Sequence, residues 1–252
     1  MRKRLLCGLI LILGTGANAQ WLNYPTPGTP RTKDGKPNLS APAPRTPDGK
    51  PDLTGIWYLR TFGRFHGNLA ADLKEVPLQS SAESLYNHRL ETFGAEDPAA
   101  RCLPSGVPRI YADPHPLKIV QLPALIIILH EALSYRQIFL DGRELPKDPN
   151  PAWMGYSVGR WEGDTLVVTS TGFNERAWFD SNGHPHADSM RLTERFNRLD
   201  FGRLELQITI DDPITYSKPW TVTLPLQLIP DTELLEFVCL ENERDLQHLV
   251  VK

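Results

Sequence analysis

Leu204, Leu206, Ile208 and Ile210 fall at every second position with Glu205, Gln207 and Thr209 between them, and Val222, Leu224, Leu226 and Leu228 repeat the pattern. A period of two sends alternate side chains to opposite faces of a strand. Such strands bury one face and wet the other, the mark of an antiparallel sheet rather than a helix-covered parallel one. Further strands are predicted at 52–59, at 117–122 and at 124–141, the last as two strands about a tight turn near Ala132–Ser134. Hairpins are predicted at 155–173, turning at Glu162–Asp164, at 189–212, turning near Asp200–Gly202, and at 219–243, turning at Pro230–Asp231. One short helix is predicted over 80–94, with Ser80 and Glu83 as a capping box, Gly94 past its end, and Ala82, Leu85, Tyr86, Leu90 and Phe93 as its apolar stripe. The Pro-rich stretch "RCLPSGVPRIYADPHPLK" (101–118) is expected to be irregular. Successive one-sided strands close into a barrel or fold into a sandwich. Closure removes the sheet edges, and the up-and-down order favours an antiparallel barrel.

Composition bears on compartment. Arg2, Lys3 and Arg4 precede an apolar stretch, Leu5 to Leu13, that is too short to span a bilayer, and Ala17-Asn18-Ala19 fits a signal-peptidase site. Residues 1–19 are therefore expected to be a signal peptide and the protein to be periplasmic or secreted. Without them Lys+Arg falls from 27 by three to 24, against 30 Asp+Glu, for a charge near −6. That argues against nucleic acid or an anionic membrane surface as partner. No later segment has the length and apolarity of a membrane-crossing helix. Cys102 and Cys239 remain, and two thiols in an oxidising compartment are expected to form a disulfide; two buried free thiols, or a reactive one, are the alternatives.

The sequence "TPRTKDGKPNLS" (29–40) returns fourteen residues later as "APRTPDGKPDLT" (43–54), too short and polar for a packed repeat unit. Residues 20–50 read as an extended Pro-rich N-terminal arm wrapping the domain or a partner, or equally as a disordered linker. The barrel domain is expected over 51–252.

The stretches "WMGYSVGRWEGDTLVVTSTGFN", "HPHADSMRLTERFNRLD" and "PDTELLEFVCLENE", together with the "DGKPDLTGIW" start, resemble an uncharacterised group of secreted bacterial proteins. The resemblance covers most of the chain after the leader and implies no activity. At the level of architecture the meander is similar to calycin or lipocalin-like barrels, and Gly55-Ile56-Trp57 is similar to the G-x-W start of that class; fold does not settle function, and neither resemblance carries over a catalytic residue.

The stretch "DSNGHPHADSMRLTERF" (180–196) holds the main site candidates. Glu194 shares a strand face with Met190, Leu192 and Phe196, so a carboxylate is expected to point into the barrel, where it must be paired or protonated. Glu131 is read the same way, on a face with Ile127, Leu129 and Leu133, and Arg136 beyond the turn is its candidate partner or that of Glu194. These charges can equally be structural pairs that fix strand register. His184 and His186 form half of a zinc-type H-x-H pattern, but no local third ligand stands near, so no metal is assigned. His186 oriented by Asp188 is an acid–base candidate, and a solvated polar loop is the plainer alternative. Trp178 and Phe179 are expected as a ligand-stacking lid at the barrel mouth or as a plug. The sequence has no P-loop, dinucleotide glycine pattern, haem motif or nucleophile elbow around Ser105, and no cofactor is expected.

Two readings follow. In the first, the barrel binds a small, largely apolar molecule in its interior, anchored by Glu131, Glu194 and Arg136, with Trp178, Phe179, His184 and Asp188 lining the ligand. In the second it is a lyase, isomerase or hydrolase using His186 and Glu194 for proton transfer and Arg136 to stabilise negative charge. A third possibility is a structural envelope protein with a partner-docking arm.

Overall fold

A computed structural model describes residues 24–241; the expected signal peptide, the first four residues of the arm and the chain after Glu241 lie outside them. Nine strands close into one barrel in sequence order: β1 (Gly55–Leu59), β2 (Leu117–Leu122), β3 (Leu125–His130), β4 (Ser134–Phe139), β5 (Tyr156–Glu162), β6 (Thr165–Thr171), β7 (Arg191–Arg198), β8 (Arg203–Asp211) and β9 (Trp220–Leu228). The last strand pairs with the first through Trp57↔Leu228, Tyr58↔Gln227 and Leu59↔Leu226. Neighbours are antiparallel except at one joint. β4 and β5 run parallel and meet only at Ile138↔Ser157 and Phe139↔Val158, because a long connection (140–155) returns the chain to the end from which β4 started. The alternation of β7, β8 and β9 holds residue by residue: Leu192, Glu194 and Phe196, then Leu204, Leu206, Ile208 and Ile210, then Val222, Leu224, Leu226 and Leu228 are all buried. They join Trp57, Ile119, Ile126, Ile128 and Ile138 in one continuous core. Among the described residues no helix is long and apolar enough to cross a membrane.

The expected third hairpin does not form. After β9 the chain runs on without strand pairing to Glu241, since β1 already occupies the free edge of β9. It instead straps the outside of the barrel, with Lys118 near Glu233 at 3.8 Å, the Phe237 N–H donating to the Glu131 carbonyl at 2.8 Å, and Cys239 disulfide-bonded to Cys102.

The helix, α2 (Ser80–Glu91), forms without its capping box: the N-cap is Gln79 and makes no side-chain cap. Its entry is set from outside, by a bridge of Leu78 to Tyr216 and by the Gln79 N–H on the Thr215 carbonyl at 2.8 Å. The stripe is also different. Ala82, Tyr86 and Arg89 face the protein, while Leu85, Leu90 and Phe93 are exposed. A shorter helix, α1 (Phe62–Phe65), precedes it.

The arm closes one end of the barrel. Each sequence repeat folds into the same loop, with Thr32 and Thr46 N–H groups donating to the carbonyls of Lys36 and Lys50, both at 2.9 Å. Each loop sets an arginine against an aspartate: Arg31 on Asp231, just after β9, at 2.5 and 2.7 Å, and Arg45 on Asp164, in the β5–β6 turn, at 2.6 and 2.9 Å. Bidentate forks fix direction as well as distance. Between them Leu53 is fully buried, and the N–H groups of Phe201 and Gly202 donate to the carbonyls of Ala41 and Leu39, both at 2.8 Å. A Cβ at Gly202 would stand 2.9 Å from the Leu39 carbonyl oxygen, so only glycine admits the arm at this point. The arm therefore wraps its own domain.

Candidate functional site

The interior carries a buried ion pair in the middle of the sheet; Arg198, on the same face of β7, is buried separately over Trp57. Glu194 and Arg136, both essentially inaccessible, form a two-point ion pair: Nη1 donates to Oε1 at 2.8 Å, and Nη2 contacts Oε2. Nη2 also donates to Ser170 Oγ at 2.7 Å, Nε donates to Ser157 Oγ at 3.1 Å, and the Tyr111 hydroxyl meets Nη1. Every guanidinium nitrogen is thus engaged. Burial alone would lower the Arg136 pKa, but Glu194 and Tyr111 outweigh it and hold the group more firmly protonated than usual. Burial raises the Tyr111 pKa, and Glu194 adds to the rise. The pair ties β4, β5, β6 and β7 together across the weak parallel joint, which four side chains bridge where only two residue pairs do so through the backbone.

Glu131 does not join this group. His130, Ile128 and Ile126 face inward, which puts Leu129 and Glu131 on the opposite face. The register Ile128↔Arg136 fixes the assignment, since ladder partners share a face. Glu131 lies in the β3–β4 turn, where Oε2 stands 3.3 Å from His115 Nδ1.

The loop 173–190 is a plug rather than a solvated loop. Trp178, Phe179, His184 and His186 are buried. Asp180 Oδ2 accepts from His184 Nδ1 at 2.7 Å and from the Leu69 N–H at 2.9 Å; Tyr86 stacks on the His184 ring at 4.4 Å; and the Arg89 guanidinium lies 4.6 Å over Trp178. Phe179 packs on Trp220, ring centres 5.3 Å apart. His186 donates from Nδ1 to the Ala187 carbonyl at 3.0 Å, and burial lowers its pKa. Asp188 is exposed and does not orient it. Both oxygens of Glu194 go to Arg136, so the expected His186–Glu194 couple is not assembled. Among the described residues no group of three metal-ligating side chains converges.

What the structure does assemble stands at the mouth opposite the arm. An open cavity of about 530 Å³ is bordered by the Pro-rich segment 102–115, the β3–β4 turn and the C-terminal strap from Phe237 to Leu240. Its polar lining is His66, Ser105, Arg109, Asp113, His115 and Ser134, and its apolar walls include Leu103, Ile110, Phe237 and the Cys102–Cys239 disulfide. Phe237 packs on the His115 ring at 4.3 Å. Arg109 is held by Asp97 through two contacts of 2.8 Å, with its Nε 3.8 Å from Asp113. Burial raises the Asp113 pKa, against the hydrogen bond from Ser105 and the charges of Arg109, His115 and His66. Arg109 Nε and Ser134 Oγ are buried without a hydrogen-bond partner among the described residues, an uncommon state for buried polar atoms.

Of the residues at this cavity, the sequence singles out the Cys102–Cys239 pair, as a disulfide, and Glu131, which stands outside the lining against His115; Ser105 is considered there only as a nucleophile and set aside. The one legible signal is the close spacing of two titratable side chains in Asp113-Pro114-His115, where the chain bends rather than running as a strand. Comparison with family models, with curated proteins and with solved structures found no match.

Proposed function

We propose that this is a barrel of the periplasm or extracellular space that binds a small, largely apolar molecule, and that the site is the mouth cavity rather than the barrel interior. The carrying observation is the convergence of buried polar atoms, two of them unpartnered, on one concave space with apolar walls. Ligand sites combine these features: apolar lining gives affinity, and a few fixed polar groups give orientation. The interior supports the role differently. The Arg136–Glu194 pair is saturated, and four described cavities all avoid the inward side chains Leu192, Leu206, Ile208 and Leu224. The disulfide suits the oxidising compartment.

Native mass spectrometry of the protein purified from the periplasm should show a bound small molecule. Val238→Trp, which puts an indole into the cavity from a half-exposed wall position, should abolish that adduct with an unchanged circular dichroism spectrum. An adduct that survives Val238→Trp would place the ligand elsewhere.

A further inference from the structure

The mouth cavity holds two proton-carrying groups in an arrangement that a passive binding site does not need. His115 lines the cavity, and Glu131, which is outside the lining, stands behind it at 3.3 Å from Nδ1. A carboxylate at Nδ1 holds the proton there and leaves Nε2 as the basic nitrogen. Two residues earlier in the chain, Asp113 lines the same space. Its carboxyl takes a hydrogen bond from Ser105, and Arg109 stays locked on Asp97, so Asp113 lacks a close bidentate partner to keep it ionised. Burial raises its pKa above the ordinary carboxylate value, which makes it a readier partner for a proton than a solvated aspartate. The disposition is a base and a carboxyl lining one cavity.

We propose that the protein isomerises a small apolar β,γ-unsaturated carbonyl compound here: His115 Nε2 removes a proton from the α carbon while Asp113 protonates the carbonyl oxygen. The C–H electron pair becomes the C=C bond of an enol, and the C=O π pair takes the Asp113 proton. With the substrate's own C=C bond at the β,γ position this enol is a dienol; return of the proton from His115 to the γ carbon moves the double bond into the α,β position, the O–H pair re-forms C=O as the enol proton goes back to Asp113, and no co-reactant is needed. His115 and Asp113 are the catalytic residues, and Glu131 is a positioning residue. The charged and titratable groups around the pair are Glu131 from the β3–β4 turn, Arg109 from the preceding turn and His66 from the end of α1; the strap contributes the apolar Phe237. The proposal rests on the mouth cavity being the ligand site.

The test uses 2-tetralone, an apolar ketone with acidic α-protons, in deuterated buffer with the full chain. Binding is followed by saturation-transfer NMR and α-deuteration by mass spectrometry. The wild type should bind the ketone and catalyse its deuteration. His115→Gln and Asp113→Asn should each slow the saturated rate by about a hundredfold, the scale of general acid–base catalysis, with little change in half-saturation. Glu131→Gln should displace the pH–rate profile, and Glu131→Asp should restore part of it, which a purely structural role would not do. Binding that Val238→Trp removes, without deuteration above buffer, overturns the catalytic proposal and leaves the binding site standing. No binding, or binding indifferent to Val238→Trp, overturns both. Exchange that survives His115→Gln also overturns the proposal.

Discussion

His130 makes the protein acid-sensitive by an amount that can be worked out. Its ring is buried at the inner end of β3, Nε2 has no hydrogen-bond partner among the described residues, and Arg136 lies two residues into the next strand. Burial first, and the Arg136 charge second, lower its pKa to about 3 from an ordinary 6.5. A histidine that is neutral when folded and protonates readily when unfolded contributes stability that is complete above pH 6.5. That stability is lost as the pH falls from 6.5 toward 3, because the unfolded chain takes up the proton first. At pH 5 the unfolded imidazole lies about 1.5 pH units below its pKa while the folded one is still neutral, so about 2 kcal/mol is lost at about 1.36 kcal/mol per unit. His130→Leu removes the titration. Urea unfolding of both proteins at pH 8 and pH 5 gives the double difference, in which the contribution of His186, also held below its usual pKa by burial, cancels. The wild type should lose about 2 kcal/mol more than the variant over this interval. Parallel pH dependences would refute the reasoning, for they would mean that the ring is solvated or charged inside the fold.

Glu194→Gln should destabilise by about 3–5 kcal/mol, because it leaves Arg136 charged in the core, whereas the double replacement Arg136→Met with Glu194→Leu should cost much less; denaturant midpoints of the three proteins decide. Reduction of Cys102–Cys239, or Cys102→Ser, should lower stability by about 5 kcal/mol in the chain-entropy account for a loop of 137 residues. It should also abolish ligand binding at the mouth, since the strap forms one wall; unchanged binding by the reduced protein would contradict that wall. Arg31→Ala and Arg45→Ala should barely move the thermal midpoint singly, as exposed ion pairs contribute little. The double variant should be cleaved first within the arm by limited proteolysis, and a wild-type cleavage pattern would show that the forks do not hold it.

Much of the barrel was legible because β7, β8 and β9 each have one apolar face and one polar face. Where both faces are apolar the method has nothing to choose between. "ALIIILH" reads equally well in either phase, and the phase that put Glu131 inside was the wrong one. The choice could have been made from the turn: with His130 opposite Ser134, Ile128 stands opposite Arg136 and must share its face. The last hairpin failed for a different reason. "TELLEFVCL" has strand-like composition, but pairing needs a free edge, and closure by β1 leaves none, which is a property of the whole barrel and not of the segment. The helix stripe failed likewise, because Tyr86 and Arg89 are placed by partners in the plug, His184 and Trp178, rather than by hydrophobic period.

The location of the candidate chemistry follows from these same constraints. A guanidinium whose nitrogens are all engaged, with a carboxylate saturated by it, has no bonding capacity left to offer a ligand. The pair instead strengthens the parallel joint, the place where backbone pairing is thinnest. The arm shuts one end, and the aromatic plug of Phe179, Tyr216 and Trp220 fills part of the other. What remains open is the rim where three non-periodic stretches meet: the Pro-rich segment, the β3–β4 turn and the strap. Such stretches satisfy their polar groups case by case instead of through a ladder, so unpartnered atoms such as Arg109 Nε and Ser134 Oγ arise there naturally. The disulfide keeps the stretches together without drawing on apolar burial, and the polar groups can then face an open chamber at no cost to the core. On this view the strands supply rigidity and the irregular segments supply the surface proposed for binding, which is why strand periodicity located the barrel and put Glu194 inside it but carried no information about the rim.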